Sequence, residues 1–267
     1  MLMEPDRREE LARLKSAPRY QSMTTNLLGF PVKIVDAYSF LAMAREIFGE
    51  HIYRFKPTSS TPYIIDGGAN IGLSVIYLKQ LYPTAQVLAF EPDHEIYEVL
   101  NANVGHYSNV RTVKAALWSS NGSLQFMAEG SWAGRLCQPG DESTYCVPTV
   151  RLWEYLDRPI DLLKLDIEGA EAQVLFDCAD RLWSVDHLFF EYHSFAGQRQ
   201  ELPRLLTLLE ELGFRIFIEG YVRKHPFIAP ELTPNSMDLQ LNIFGIRERS
   251  QTMPELDREP ERVPTEI

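Results

Sequence analysis

Three short apolar runs in this chain each stop on an acidic residue, and each acid leads into a helical pattern. Tyr63-Ile64-Ile65 ends at Asp66-Gly67-Gly68, Gln86 to Phe90 ends at Glu91-Pro92, and Asp161 to Leu165 ends at Asp166-Ile167-Glu168-Gly169. A short apolar run bounded by turn residues reads as a strand buried on both faces, the condition of a parallel sheet. Polar and glycine residues gathered at strand C-ends then place a ligand crevice along one end of that sheet.

The rest of the chain supports the alternation. Leu73 to Leu81 reads as a helix, and so does Asp93 to Val104, with Asp93 as its N-cap. Val110 to Leu117 is expected as a third strand. His187 to Tyr192 is expected as a fifth, ending at His193. Helices are expected over Ala170 to Cys178 and Arg199 to Leu212, the second stopped by Gly213. Phe214 to Glu219 and Leu239 to Ile246 have a loop rather than a clear helix between them, which suggests an antiparallel pair at one edge. The expected fold is α/β: a Rossmann-like, seven-stranded, mostly parallel, doubly wound sheet with an antiparallel edge pair.

Three segments fall outside that alternation. Residues 1–60 carry a helical pattern, with Phe40, Leu41, Ala44 and Ile47 on one face, and end at the breaker cluster Pro57 to Pro62. They read as an N-terminal helical extension or lid before a ligand-binding domain at 61–250. Residues 122–150, with Gly130, Gly134, Pro139 and Gly140, read as an inserted hairpin or lid. Residues 251–267 are charged and Pro-containing, and read as a flexible tail.

A length of 267 residues suits one α/β domain with an extension. A net charge of −11 argues against nucleic acid, whose phosphates call for a basic footprint. Cys137, Cys146 and Cys178 have neither disulfide nor zinc spacing and read as reduced thiols. No run is apolar enough to span a membrane and no signal-peptide core is present, so a cytoplasmic address is expected.

Asp66-Gly67-Gly68-Ala69-Asn70-Ile71-Gly72 opens a helix with glycines that permit close backbone approach to a ligand. It lacks the G-x-G-x-x-G of a dinucleotide site. Its leading acid would repel a pyrophosphate and suits an ammonium group, such as that of S-adenosylmethionine. Glu91, at the next strand end, suits the two ribose hydroxyls of an adenosine. Ala115-Ala116-Leu117 are small and apolar enough to flank an adenine, although such runs are usually core. Asp166 and Glu168 sit over the same crevice, where clustered acids serve a ligand, an ion or a proton transfer. Glu171 reads as a helix cap. His193, with Glu191 two residues before it, is the expected general base.

The stretches DGGANIGLSVIYLKQLYP…LAFEPD, DLLKLDIEGAEAQVL and LFFEYH resemble the FkbM-type methyltransferases over about Tyr63 to His193. The resemblance implies a class I methyltransferase fold, S-adenosylmethionine as cofactor, and O-methylation of a hydroxyl on a sugar, polyketide or other secondary metabolite. It implies cofactor contacts at Asp66, Gly68, Asn70, Gly72 and Glu91, to which position adds Gly67, Ala69, Ser74, Pro92, Ala116, Leu117 and Asp166. It implies roles for Asp166, Glu168 and His193 near the transferred methyl. Glu46-Ile47-Phe48 and Tyr53 look like a lead-in helix of some members, while Met1 to Lys33 and Ala128 to Thr144 match none of its patterns. The expected partner is a small-molecule acceptor, with no nucleic acid or membrane, and a homodimer is left open. No metal is assigned, although Asp166, Glu168 and His193 offer oxygen and nitrogen donors. The competing readings are N-methylation of an amine and a nicotinamide-dependent oxidoreductase.

Overall fold

The computed structural model describes residues 4–127, 135–136, 144–220 and 237–247. Its elements run α1 (Glu4–Ser16), β1 (Met23–Thr25), β2 (Val32–Ile34), α2 (Ala37–Ala44) with a π-turn at Arg45–Gly49, β3 (Tyr63–Gly67), α3 (Leu73–Leu81), β4 (Gln86–Phe90) and α4 (His94–Val104). They continue as β5 (Val110–Val113), β6 (Ala116–Trp118), β7 (Gly122–Met127), β8 (Arg135–Leu136), β9 (Thr144–Arg151), β10 (Ile160–Leu165), α5 (Glu171–Asp177), β11 (Val185–Phe195), α6 (Leu202–Glu211), β12 (Phe214–Gly220) and β13 (Met237–Arg247).

Seven strands form one sheet in the order β12-β13-β11-β10-β3-β4-β5. This is the expected mostly parallel arrangement, with the antiparallel pair at one edge. The reversed strand is β13, which lies between β11 and the outermost β12 and runs antiparallel to both. Successive side chains alternate across the sheet. Ile64, Val87, Ala89 and Leu162 therefore join one core beneath α2, α3 and α4. Ile65, Leu88, Phe90, Leu163 and Leu165 join a second core beneath α5 and α6. Burial on both faces is the reason these strands read as continuous apolar runs.

Local expectations hold closely at α3 and β4, whose limits agree with the sequence reading. Asp93 caps α4, its carboxylate accepting from the Glu95 and Ile96 N–H groups at 2.8 and 3.1 Å. Gly213 takes the left-handed conformation expected just past α6, at φ +78°.

Three expectations are corrected. The run 110–117 is two strands, because the chain leaves the main sheet after Val113 and Ala116–Trp118 pairs in parallel with β9. The N-terminal segment is not helical throughout, since β1 and β2 form an antiparallel ladder between its helices. His193 lies inside β11 rather than past it, opposite Gln240 of β13. Within the insertion, β7 pairs antiparallel with β9, joined by β8. The glycines and proline expected at 130–140, the loop before β13 and the tail at 251–267 lie outside the described residues, as does Cys137. Cys146 and Cys178 are free thiols. No helix among the described residues is long and apolar enough to cross a membrane.

Candidate active site

The C-terminal ends of β3, β4, β10 and β11 bring the sequence candidates to one end of the sheet in two groups. The first is built on the β3–α3 turn. The Gly68 and Ala69 N–H groups donate to the Phe90 carbonyl at 3.1 and 2.9 Å, which ties the turn to the end of β4. Asn70 holds φ +49°, and its N–H donates to Glu91 Oε2 at 2.9 Å. Glu91 Oε1 accepts from the Asp93 N–H, also at 2.9 Å. Burial pushes the Glu91 carboxyl up to about 7, against the pull of these two hydrogen bonds. Each of its oxygens retains capacity for another donor.

The glycines of this turn have reasons internal to the protein. A Cβ on Gly68, at φ +73°, would lie 1.8 Å from the Asp166 carbonyl oxygen. A Cβ on Gly72 would lie 2.7 Å from Val104 Cγ1, and one on Gly67 2.6 Å from Leu117 Cδ1. Leu117 is thus core beneath β3, and Ala116 packs with Phe126 and Val147. Pro92 and Ala69 follow their strand ends as expected, Ala69 within the core.

Asp66 does not face the crevice. Its side chain is fully buried, with Oδ2 accepting from Ser74 Oγ at 2.5 Å and Oδ1 3.1 Å from Lys164 Nζ. The expectation that it meets a ligand ammonium is therefore corrected: the ammonium beside it belongs to the protein. Lys164 Nζ also donates to the Gly67 and Gly68 carbonyls at 3.2 and 2.7 Å and lies 3.8 Å from Asp166 Oδ2. Burial alone would lower the Lys164 pKa, but Asp66 and Asp166 hold it above the ordinary lysine value. Sequence reading missed Lys164. The signal was present, since a lysine inside an otherwise apolar strand is rarely buried unless paired.

The second group surrounds His193, whose side chain is 1% exposed. Nδ1 lies 3.2 Å from Glu171 Oε1, while Nε2 lies 3.4 Å from Glu191 Oε2 and 3.5 Å from Glu168 Oε2. Burial alone would lower the His193 pKa, but the three carboxylates hold it well above the ordinary histidine value. That direction runs against the expectation that His193 titrates near neutrality as the base. Glu171 is also more than a helix cap, because it accepts from the Ile167 and Gly169 N–H groups at 3.0 Å and shapes the loop after β10. In that loop Glu168 holds φ +55° and Gly169 φ +100°.

Asp166 borders the same cluster. Its carboxyl lies against that of Glu191, and burial and the Glu191 charge hold it well above the ordinary carboxylate range. Gln240 donates to Glu191 Oε1 at 2.5 Å, and Asn242 to Glu46 Oε1 at 3.3 Å. Gln240 and Asn242, which arrive from β13, carry no sequence signal, and Glu46 reads in the sequence only as part of a lead-in helix, not as a site residue. Ligand atoms of Asp166, Glu191 and His193 fall within 4.8 Å of one another, the closest approach to an ion-holding group among the described residues. His193, however, offers an ion no lone pair while both nitrogens face carboxylates.

The insertion reaches the first group. The Tyr145 hydroxyl on β9 is bonded to the Asp93 carboxylate and the His94 N–H. A cavity of about 910 Å³ opens at the opposite end of the sheet, among Phe55, Tyr82, His187 and Phe244, and none of the candidate site residues lines it.

Residues 66–216 match the family model described as the Methyltransferase FkbM domain. The chain is 32% identical over 213 residues to "Methyltransferase sdnD" of Sordaria araneosa, covering 64% of this chain and 81% of that one. It is 26% identical over 164 residues to "2-O-methyltransferase NoeI" of Sinorhizobium fredii, covering 53% and 68%. A crystal structure titled as the methyltransferase FkbM from Methylobacillus flagellatus KT is similar at a TM-score of 0.45 and 16% identity, over 90% of this chain and 58% of that one.

Proposed function

This chain belongs to the FkbM methyltransferase family, whose cofactor is S-adenosylmethionine, and on that premise we propose that it O-methylates a hydroxyl of a small molecule such as a sugar or polyketide. The observation that carries the reading is the pairing of two groups at one end of the sheet: a buried carboxyl with spare acceptor capacity, Glu91, and a cluster of carboxylates around the buried His193 imidazole.

The donor set fits the cofactor. Glu91 accepts the ribose hydroxyls through its remaining lone pairs, and the turn from Gly67 through Asn70 to Gly72 frames the same end of the sheet. Asp66 and Ser74 support that turn from inside. When bound, S-adenosylmethionine supplies a methyl group on positively charged sulfur. The acceptor lies on the other side, against Asp166, Glu168 and Glu191, whose oxygens accept hydrogen bonds from hydroxyls and orient one for attack. The relative NoeI carries 2-O-methyltransferase in its name, which favours an oxygen acceptor. A net charge of −11 disfavours a nucleic-acid substrate.

An amine acceptor is the competing reading. Glu46, Asp166, Glu168, Glu171 and Glu191 outnumber Lys164 and His193, and that surplus would also hold an ammonium. The test is transfer of label from methyl-labelled S-adenosylmethionine to p-nitrophenyl glycosides and catechol, against glucosamine and simple amines. O-methyl products are expected. Label found only on nitrogen would overturn the O-methylation reading.

A further inference from the structure

We propose that Asp166 takes the proton of the acceptor hydroxyl, and that His193 is a positioning residue that holds Glu191 and Glu168 beside it. This rests on the O-methylation reading above.

A general base needs an unshared pair within reach of the acceptor. His193 has neither, being 1% exposed with carboxylates on both nitrogens. The Asp166 side chain is 29% exposed; its Oδ1 is buried without a hydrogen-bond partner, and its Oδ2 lies 3.8 Å from Lys164 Nζ. Of Asp166, Glu168, Glu171 and Glu191 it has the most exposed side chain, and so the best access to an acceptor in the crevice. Glu191 beside it is 18% exposed, but its two oxygens face Gln240 and His193.

The groups packed around Asp166 and His193 explain the division of labour. Lys164 faces Asp166 from β10 and Tyr53 faces it from the N-terminal segment, while Glu46 of that segment faces Glu191 and Lys164. Glu168 and Glu171 face His193 from the loop and α5, Glu191 from β11 itself, and Gln240 reaches Glu191 from β13. Two carboxyls in contact cannot both ionise easily, so the pair holds a proton more tightly than a free aspartate does. The imidazolium keeps Glu191 in its charged form, which leaves Asp166 as the member that gains and loses the proton.

The step balances. The hydroxyl oxygen bonds the methyl carbon as the carbon–sulfur bond breaks. That bond's electron pair stays on sulfur, which becomes a neutral thioether, and the hydroxyl proton ends on an Asp166 oxygen. Asp166 must first be ionised, so reaction favours the higher side of its titration.

The test needs no acceptor. The wild-type protein, saturated with S-adenosylhomocysteine, is labelled with ¹⁵N-histidine and ¹³C-aspartate and followed by NMR from about pH 5.5 to about pH 9, the range that spans an ordinary imidazole. His193 should keep both ring nitrogens protonated throughout. One aspartate carboxyl should titrate above the ordinary aspartate range, vanish in Asp166→Asn, and move to higher pH in His193→Gln. An imidazole signal that titrates near its ordinary value and is lost in His193→Gln would return His193 as the base. An Asp166 carboxyl already fully ionised at the lowest pH would also overturn the proposal. So would Mg²⁺ alone shifting the Asp166 signal at micromolar concentration, which would make the pair an ion holder. Failure to bind S-adenosylhomocysteine by calorimetry would instead sink the cofactor reading. Binding together with a titrating His193 sinks only this one.

Discussion

Glu171 Oε1 lies 3.2 Å from His193 Nδ1, and the same carboxylate takes the N–H groups of Ile167 and Gly169. One buried anion therefore sets both the charge of the imidazole and the path of the loop that carries Asp166 and Glu168. Glu168 accepts a left-handed backbone in that loop, a conformation that costs on the order of 1–3 kcal/mol and persists where surrounding bonds over-determine it.

Stability should carry the signature of that imidazolium. The folded-state pKa of His193 lies above its ordinary value of 6.5. Its contribution is therefore complete below the unfolded-state pKa and is lost as pH rises through the higher folded value. Urea unfolding of wild type and His193→Gln should show a gap that narrows with pH above about 6.5. A gap that widens with pH would mean that the folded protein holds a neutral imidazole.

Lys164 and Asp66 should behave as a coupled interior pair. Lys164→Met leaves Asp66 and Asp166 without their cation and should cost about 3–5 kcal/mol, the usual penalty of breaking a buried pair from one side. Adding Asp66→Asn should recover part of that loss, and a double-mutant cycle by urea unfolding measures the coupling. Strict additivity of the two substitutions would contradict the pairing.

Cofactor affinity should depend on the ionisation of Glu91. Its carboxyl is held up to about 7, and only the ionised form accepts both ribose hydroxyls. Binding of S-adenosylhomocysteine should strengthen as pH rises through that value and release protons to the buffer. Glu91→Gln should weaken binding by about 1.5–3 kcal/mol, the worth of hydrogen bonds to a charged group, and abolish the pH dependence. Calorimetry in buffers of differing ionisation enthalpy reads both effects, and a pH-independent wild-type affinity would remove Glu91 from the site.

Gly68 and Gly213 separate packing from backbone conformation. Both have positive φ, but a Cβ at Gly213 meets nothing within 4 Å, whereas one at Gly68 meets the Asp166 carbonyl oxygen at 1.8 Å. Gly213→Ala should cost about 1–2 kcal/mol from left-handed strain alone. Gly68→Ala should cost clearly more, because strand ends must move apart. Equal unfolding midpoints for the two variants would show that the β3–α3 turn yields easily.

What the sequence determined by itself is what depends on neighbours along the chain. Apolar runs such as Tyr63 to Ile65 and Asp161 to Leu165 specify buried parallel strands, because both of their faces must leave water. Asp93 announces a helix start through its own side-chain oxygen, and the acids and glycines at strand ends mark the crevice. Tertiary structure decided the chemical state of those residues. Asp66 became the interior partner of a lysine 98 positions away, and the run at 110–117 divided because β9 offered Ala116 to Trp118 a second sheet. The His193 pKa was raised because Glu168, Glu171 and Glu191 close around a buried ring. Charge interactions act through space and strengthen with burial, so a proton's location follows from which segments fold together rather than from residue type or spacing.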